Sequence, residues 1–150
     1  MAEDPARIRR LVAATGRFSA DEQGIAEELA LERIEKGRLS GYEFEFACQG
    51  DRLLGYACFG PIPGTEKSWD LYWIAVDPGQ QGTGLGSSIL ARVEAAIRRA
   101  GGAMLYADTS SIAAYGPTRG FYLARGFGVT AELPDFYRPG DGKVIFSKRL

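Results

Sequence analysis

Four glycines fall within the eight residues from Gly79 to Gly86, in the segment DPGQQGTGLGSS. The apolar run LYWIAV ends directly before this segment, and the amphipathic run ILARVEAAIRRA begins directly after it. A loop that needed only flexibility would require neither a strand before it nor a helix after it. The arrangement therefore predicts a backbone shaped around a ligand at the point where a strand gives way to a helix.

The length and charge of the chain limit the classes of function it can have. A chain of 150 residues can bury a substantial core, and we expect residues 1–150 to form a single domain. A net charge of −1 provides no positive field for a nucleic-acid backbone. No apolar run approaches the roughly 20 residues of a membrane span, and the charged amino terminus does not resemble a signal peptide. We therefore expect a cytoplasmic protein whose partners are neither nucleic acid nor membrane.

The sequence contains no histidine, which excludes several kinds of catalytic site. Neither a Ser-His-Asp nor a Cys-His constellation can form, and no imidazole can bind a metal. Cys48 and Cys58 lack the spacing of a zinc site, and we expect two small reduced core residues. No metal is expected, and proton transfer must use carboxylates, tyrosines, lysines, cysteines or water.

The spacing of apolar residues predicts four helices and six strands. The helices are expected over residues 4–15, 19–37, 85–100 and 118–126, and the strands over 42–49, 53–60, 69–76, 103–109, 127–133 and 143–150. Ser19 and Glu22 match a capping box at the second helix, which has Ile25, Leu29 and Ile34 on one side. A loop is expected over residues 134–142. Because the third helix would be a parallel crossover, the order favours a mixed sheet covered by helices on both faces.

The glycine segment suits an anion, since the first amides of a helix have no helical partner and the helix dipole favours negative charge. Two common nucleotide loops do not fit it. The Rossmann spacing would need glycine at Ser87 or Ile89, and a P-loop starting at Gly79 would need lysine at Leu85. Another ligand that carries a pyrophosphate remains open, as does a glycine-rich turn without a ligand.

Two sequence blocks resemble the GNAT superfamily of N-acetyltransferases. Val76-Asp77-Pro78 followed by Gln81-x-x-Gly84-x-Gly86 resembles its Q/R-x-x-G-x-G/A turn, and GFYLARGF, residues 120–127, resembles its F-Y-x-x-x-G-F segment. The resemblance implies an α/β fold, α+β in some schemes, with a mixed, mostly antiparallel twisted sheet, helices on both faces and a splayed central strand pair. The family usually begins with a β-strand, so here the first edge strand is expected to be missing or very short, as in a truncated form.

The resemblance implies acetyl-CoA as cosubstrate. Its pyrophosphate would lie on the amides of residues 81–86, and its pantetheine arm against a bulged strand near residues 74–76. A hydroxyl after the fourth strand would replace the asparagine found in many members. The cofactor-binding residues implied are Ile74, Ala75, Val76, Gln81, Gly82, Thr83, Gly84, Leu85, Gly86, Ser87, Thr109 and Tyr122.

The resemblance also assigns roles in acetyl transfer. Tyr122 would be the general acid, since a phenol is matched to protonating a thiolate, and a backbone amide near Ala75 or Val76 would bind the oxyanion. Asp70 is the candidate base, sharing strand parity with Tyr72 and Ile74, although it would lie at the far end of its strand. An ordered water relay is the alternative base.

The acceptor is expected to be an amine of a small molecule or a protein, acetylated in a direct ternary complex. Tyr115, Arg119 and Tyr137 are the candidate substrate residues, and Asp135 or Asp141 could attract an ammonium group. Turn formation explains the segment Pro134–Asp141 equally well. A homodimer along a sheet edge is possible. The alternatives are an acyl-CoA-binding sensor or partner domain of the same fold without catalysis and, in a third class, a nucleotide binder.

Overall fold

The computed structural model describes residues 5–150 and shows four α-helices and six strands in that part of the chain. The helices are α1 (Pro5–Ala14), α2 (Ala20–Lys36), α3 (Leu85–Arg99) and α4 (Gly116–Ala124). The strands are β1 (Glu43–Gln49), β2 (Arg52–Pro61), β3 (Ser68–Val76), β4 (Met104–Ser110), β5 (Gly128–Arg138) and β6 (Asp141–Arg149). The order of elements is the predicted one. The expectation about a first edge strand concerns residues before α1, which lie outside the described residues.

The six strands form one sheet in the order β1-β2-β3-β4-β6-β5. Every neighbouring pair is antiparallel except β3 and β4, which are parallel and connected through α3. Helices α3 and α4 pack on one face, and helices α1 and α2 pack on the other. The predicted fold, a mixed and mostly antiparallel sheet covered on both faces, is confirmed. Within residues 5–150, no helix is both long and apolar enough to cross a membrane.

The central strands β3 and β4 pair over only part of their length. Their ladder runs from Ser68 opposite Met104 to Leu71 opposite Ala107, and then it stops. Strand β3 continues to Val76 and β4 to Ser110 without pairing with each other. An opening therefore lies between the two strands, which we call the slot. The predicted splayed pair is confirmed.

Strand β3 carries a bulge at Tyr72. On β2, Cys58 lies opposite Trp73 and Phe59 lies opposite Leu71, so Tyr72 is an extra residue on β3. Its ring contacts that of Tyr42 on the α1/α2 side of the sheet, with 5.4 Å between the ring centroids. A bulge changes which residues share a face.

The bulge corrects one prediction about Asp70. This residue lies on the α1/α2 side, because its neighbour Leu71 packs into the core on the α3/α4 side. Ile74 packs into that same α3/α4 core, so Asp70 and Ile74 do not share a face. The prediction of shared parity holds for Tyr72 but was wrong for Ile74, since period two does not continue across an extra residue.

Helix α2 begins as predicted but buries a different face. Its capping box forms: the Ser19 amide donates to Glu22 Oε2 over 2.7 Å, and the Glu22 amide donates to Ser19 Oγ over 3.2 Å. The buried residues are Ala26 and Ala30, whereas Ile25 is 46% exposed and Ile34 is 56% exposed. The small side chains allow the helix to pack closely on α1 and the sheet, which periodicity alone does not reveal.

The two cysteines have different environments. Cys58 is fully buried, but Cys48 is exposed, so the prediction of two core residues was wrong for Cys48. The ladder between β1 and β2 shifts register between Ala47 and Cys48, which changes the direction of the side chain. Cys58 lies opposite Phe44 and Cys48 lies opposite Leu53, so the two do not face each other.

The segment predicted as a loop before β6 belongs largely to β5. Leu133 pairs with Lys143 and Arg138 pairs with Asp141, so residues 134–137 bulge out opposite the single residue Gly142. We call residues 134–137 the β5 bulge. A Cβ atom on Gly142 would lie 2.9 Å from the Leu133 carbonyl oxygen, which explains why only glycine fits there. The short turn follows Arg138 and not Leu133.

A substitution at Gly60 tests how closely β2 packs against the segment before β1. A Cβ atom at this position would lie 1.9 Å from the carbonyl oxygen of Gly41. We expect Gly60→Ala to lower the free energy of unfolding by about 1–3 kcal/mol, because backbone must move to admit the methyl group. Gly24→Ala is the control: Gly24 is within α2 and has no atom near its Cβ position, so we expect a gain of about 0.5–1 kcal/mol. Urea unfolding measures both, and a Gly60→Ala protein as stable as the original would contradict this packing.

Candidate active site

The glycine segment places unpaired amides at the start of α3. Gly84 is the N-cap in the left-handed region, with φ of 83°, and its carbonyl accepts the first helical bond, from Ser88, over 3.0 Å. The N–H groups of Gly82 and of residues 84–87 find no acceptor among residues 5–150. With the helix dipole, such amides favour an anion, and we call them the candidate anion site. They lie where the sequence predicted them, and the binding of an anion there stays a prediction.

The loop before α3 is held in a fixed shape. Asp77 Oδ1 accepts the Gly79 amide over 2.8 Å, and Asp77 Oδ2 accepts from Arg52 over 2.9 Å. The Arg52 guanidinium, and then the Gly79 amide, lower the pKa of Asp77 below its usual range. A Cβ atom on Gly86 would lie 3.4 Å from the Phe121 ring, so α3 begins close against α4. The amides are therefore in place before any ligand arrives.

The slot connects this candidate anion site to the point where β3 and β4 meet. Beyond Leu71, the edge of β3 that faces β4 pairs with no strand of the described chain. This edge includes Ile74, Ala75 and Val76, the residues predicted to bind a pantetheine arm. An extended ligand can pair with such an edge as a strand would.

Thr109 lines β4 beyond the last pair with β3. Its side chain is 6% exposed, and Oγ1 is buried without a hydrogen-bond partner among residues 5–150. Side chains alternate between the two faces of β4, so Thr109 lies on the α3/α4 side together with Leu105 and Ala107. A buried hydroxyl without a partner costs stability, so its presence needs a reason such as a ligand.

Tyr122 lies on the same side as Thr109, at the centre of an aromatic cluster. Its ring centroid is 5.7 Å from that of Phe121, 5.3 Å from that of Phe127 and 5.4 Å from that of Phe146. Burial, and then the charge of Asp108, raise the pKa of Tyr122 far above its ordinary value. The phenol is therefore a weaker acid than the sequence argument assumed, and its O–H acts first as a hydrogen-bond donor.

Asp70 lies on the opposite side of the sheet, beside the apex of the slot. It pairs with Tyr106, one residue before the last pair of the ladder, and lies near the start of β3, at the end of the strand far from the glycine segment, as predicted. Burial, and then the charge of Asp108, raise the pKa of Asp70, while Lys143 lowers it. A carboxylate with a raised pKa is a better proton acceptor. Asp70 and Tyr122 therefore approach the slot from its two faces.

Three of the charged residues considered for the acceptor make internal contacts. Arg119 donates to the Ser110 carbonyl over 2.7 Å and to the Ile112 carbonyl over 2.9 Å. Asp141 is buried and accepts from the Ser110 hydroxyl, with Arg138 3.3 Å away. In the β5 bulge, Asp135 Oδ1 accepts the amide of Gly140 over 2.7 Å. These contacts hold the end of β4 and the β5–β6 turn.

The tyrosines considered for the acceptor lie near each other. The hydroxyl of Tyr115 donates to the Arg17 carbonyl over 3.1 Å, and Tyr137 is 49% exposed on the β5 bulge. Tyr137 raises the pKa of Tyr115 less than burial does, and the charges of Glu22 and Asp141 raise the pKa of both phenols, so the two lie near the same carboxylates. Sequence reasoning missed Lys143 and Phe136 beside Tyr137, because an irregular hairpin places them there. Within residues 5–150, no cluster of three or more metal-binding side chains occurs.

A profile of the acetyltransferase (GNAT) family matches residues 18–127, which include the glycine segment and the Tyr122 helix. The chain belongs to this family. The resemblance seen in the sequence is thereby confirmed, and family membership supports an acetyltransferase.

Solved structures in the GNAT family share the whole fold. A GNAT-family protein from Desulfovibrio desulfuricans is 46% identical, with a TM-score of 0.97, and the match covers 99% of this chain and 94% of that one. An aminoglycoside 6′-N-acetyltransferase complexed with coenzyme A is 15% identical, with a TM-score of 0.76, covering 97% and 89% of the two chains. The ribosomal-protein-S18-alanine N-acetyltransferase from Escherichia coli is 17% identical, with a TM-score of 0.77, covering 99% and 89%. No curated protein sequence matches the chain.

The unpaired hydroxyl of Thr109 gives a direct test of this side of the slot. We expect Thr109→Val to raise the free energy of unfolding by about 1 kcal/mol, because the isosteric change removes a buried hydroxyl that has no partner. Thr130→Val is the control, since the Thr130 hydroxyl is 2.5 Å from Ser147 Oγ and its removal should give no gain. Urea unfolding of the free protein measures both. A loss of stability in Thr109→Val would show that this hydroxyl already serves the free fold.

Proposed function

We propose that this protein transfers an acetyl group from acetyl-CoA to a primary amine in a direct ternary complex, and that residues 1–150 act as a single cytoplasmic domain. One observation carries the proposal: the slot between β3 and β4 has unpaired amides at one end and Asp70 and Tyr122 on its two faces. An acetyl-CoA molecule needs an anion site for its pyrophosphate and an extended channel for its arm. The amides at the start of α3 would supply the first, and the slot beside the free edge of β3 would supply the second.

The residues that would hold acetyl-CoA are those whose polar groups have no partner within residues 5–150. The amides of Gly82 and residues 84–87 would bind the pyrophosphate, and the free edge of β3 at residues 74–76 would pair with the pantetheine amides. The Thr109 hydroxyl, which has no partner in the described chain, would bond the arm from the β4 side. Coenzyme A in a structural relative supports this choice of ligand.

The transfer itself forms a C–N bond and breaks the C–S bond of the thioester. Asp70, directly or through water, would accept the proton that the attacking amine must lose. An amide near Ala75 or Val76 would donate to the carbonyl oxygen as negative charge develops there. Tyr122 would donate a hydrogen bond to the departing sulfur and then its proton, which becomes easier as the thiolate charge grows.

The acceptor is an amine of a small molecule or of a protein. Solved relatives of the same fold are named for both, as aminoglycoside and ribosomal-protein-S18-alanine acetyltransferases. Tyr137 lies near Asp108 and Lys143, whose charges act on it, and Tyr115 lies near Tyr137, so both would contact the acceptor. An acyl-CoA sensor without catalysis is the second candidate, and it accounts for the slot and the amides but not for the placement of Asp70 and Tyr122.

Gly84 and Gly101 form a matched pair for testing the amide site. Both have positive φ, 83° and 84°, and within residues 5–150 neither has an atom near its Cβ position. We expect Gly84→Ala to weaken acetyl-CoA binding about tenfold, because strain of about 1.4 kcal/mol shifts the amides at the helix start. Gly101→Ala carries similar strain just beyond the other end of α3 and should leave binding unchanged. Isothermal titration calorimetry with acetyl-CoA measures both, and equal effects would contradict the assigned site.

Tyr122 and Tyr56 form a matched pair for testing catalysis. Both are buried tyrosines, but Tyr56 lies in the α1/α2 core. With an amine identified by mass spectrometry of an acceptor panel, we expect Tyr122→Phe to lower kcat by about 100-fold or more with acetyl-CoA affinity retained. Tyr56→Phe should leave kcat unchanged.

The same assay separates the two candidate functions. Asp70→Asn should lower the rate at pH values where Asp70 is charged, because the amide cannot accept the proton. An unchanged rate in Tyr122→Phe would overturn its role as acid. Acetyl-CoA binding without acetylation of any amine in the panel would favour the sensor.

A further inference from the structure

Three neighbouring strands bring charged side chains to one face of the sheet at the apex of the slot. Asp70 is on β3, Asp108 is on β4, two residues beyond the partner of Asp70, and Lys143 is on β6, opposite Ser110. By the alternation of each strand, all three face the α1/α2 side. Lys143 Nζ is 3.0 Å from Asp108 Oδ2, and its charge also acts on Asp70.

The β5 bulge fixes the position of Lys143. Its ammonium group lies over the ring of Phe136, 4.7 Å from the ring centroid, an arrangement that attracts a cation. The neighbouring residue Asp135 has φ of 55°, unusual for a residue other than glycine. Phe136 itself is 52% exposed, so the bulge does not serve to bury this ring. Backbone held in such a conformation is concentrated at functional sites.

We propose that Asp108 and Lys143 are positioning residues for Asp70: their ion pair, held by Phe136, sets the charge at the apex of the slot where the amine loses its proton. The inference rests on the proposed function. Neither residue needs to touch the reacting atoms. Their effect passes through Asp70, whose carboxylate accepts the proton.

The groups around Asp70 make the direction of each effect clear. Asp108 is a like charge and favours the protonated form of Asp70, whereas Lys143 favours the ionised form. On the same strand, burial raises the pKa of Tyr72 to about 12, so that phenol stays neutral at working pH, as does Tyr42 beside it.

Two further neighbours of Asp70 lie on the adjacent strands. Tyr106 is its partner on β4, and Gly60 is its partner on β2 and has no side chain. Asp108 and Lys143 are therefore the charged groups whose opposite effects act on the pKa of Asp70.

Carbon-13 NMR of protein labelled at the aspartate side-chain carboxyls tests this without an acceptor. Asp70→Asn identifies the Asp70 resonance, and its titration midpoint is then followed in three variants. We expect the midpoint to fall by roughly half a unit to one unit in Asp108→Asn and to rise by a similar amount in Lys143→Met. In the double variant the two effects should largely cancel. Phe136→Leu keeps an apolar side chain but removes the ring face, and it should shift the midpoint in the same direction as Lys143→Met by a smaller amount.

The outcomes separate this inference from the proposed function. The inference would be overturned if the titration midpoint of Asp70 agreed within 0.2 pH units in all variants. This margin is roughly a fifth of the largest expected shift. Shifts of one sign in both single variants, which would indicate general disruption, would also overturn the inference. Acetyl transfer to the amine found in the acceptor panel is measured in parallel as a function of pH. The acid limb of kcat/KM should move with the NMR midpoint, whereas absence of transfer in the original protein would overturn the proposed function and leave the NMR result standing.

Discussion

The separation of β3 from β4 is the feature on which the rest of the site depends. Each of these strands pairs fully with its outer neighbour. Strand β3 pairs with β2 as far as Val76, and β4 pairs with β6 along its whole length. The two strands share only four pairs, so their ladder cannot close the gap beyond Leu71. Because the outer ladders hold both sides, the slot remains open without a ligand. The backbone groups along it are left available for one.

Three kinds of unsatisfied group meet in this slot. Within the described residues 5–150, the amides at the start of α3 lack acceptors, the inner edge of β3 lacks a partner strand, and the buried hydroxyl of Thr109 has no hydrogen-bond partner. Folded proteins rarely leave so many polar groups unpaired in one place. One extended ligand with a pyrophosphate at its end would satisfy all three. This is the physical reason for proposing acetyl-CoA, and the family membership of the chain supports it.

Local signals in the sequence were sufficient for much of the fold and for the helix start at the glycine segment. Capping at Ser19, the glycine segment and the order of the elements depend on neighbouring residues, and all of them appear as predicted. The errors have another origin. The bulge at Tyr72 places Asp70 and Ile74 on different faces. The segment predicted as a loop is the β5 bulge, which carries the aromatic residues Phe136 and Tyr137. Both depend on the partner strand, which no periodicity in the chain itself can show.

Burial was the second property that the sequence could not supply. The helical period of α2 predicted that Ile25 and Ile34 are buried. In the structure Ala26 and Ala30 are buried instead, and both isoleucines are exposed. The acidity of Tyr122 was judged from an ordinary phenol, but its aromatic surroundings raise its pKa. Lys143 was not recognised at all, because its importance comes from lying near Asp108 and Phe136 in the folded sheet.

The central claim is that acetyl-CoA occupies the slot between β3 and β4. Two-dimensional amide NMR of the whole chain during titration with acetyl-CoA tests it most directly. We expect the largest changes at the amides of residues 74–76, 82 and 84–87, with little change at residues 100 and 101, just beyond the other end of α3. Acetyl-CoA binding that leaves those amides unchanged and perturbs another surface would contradict the claim.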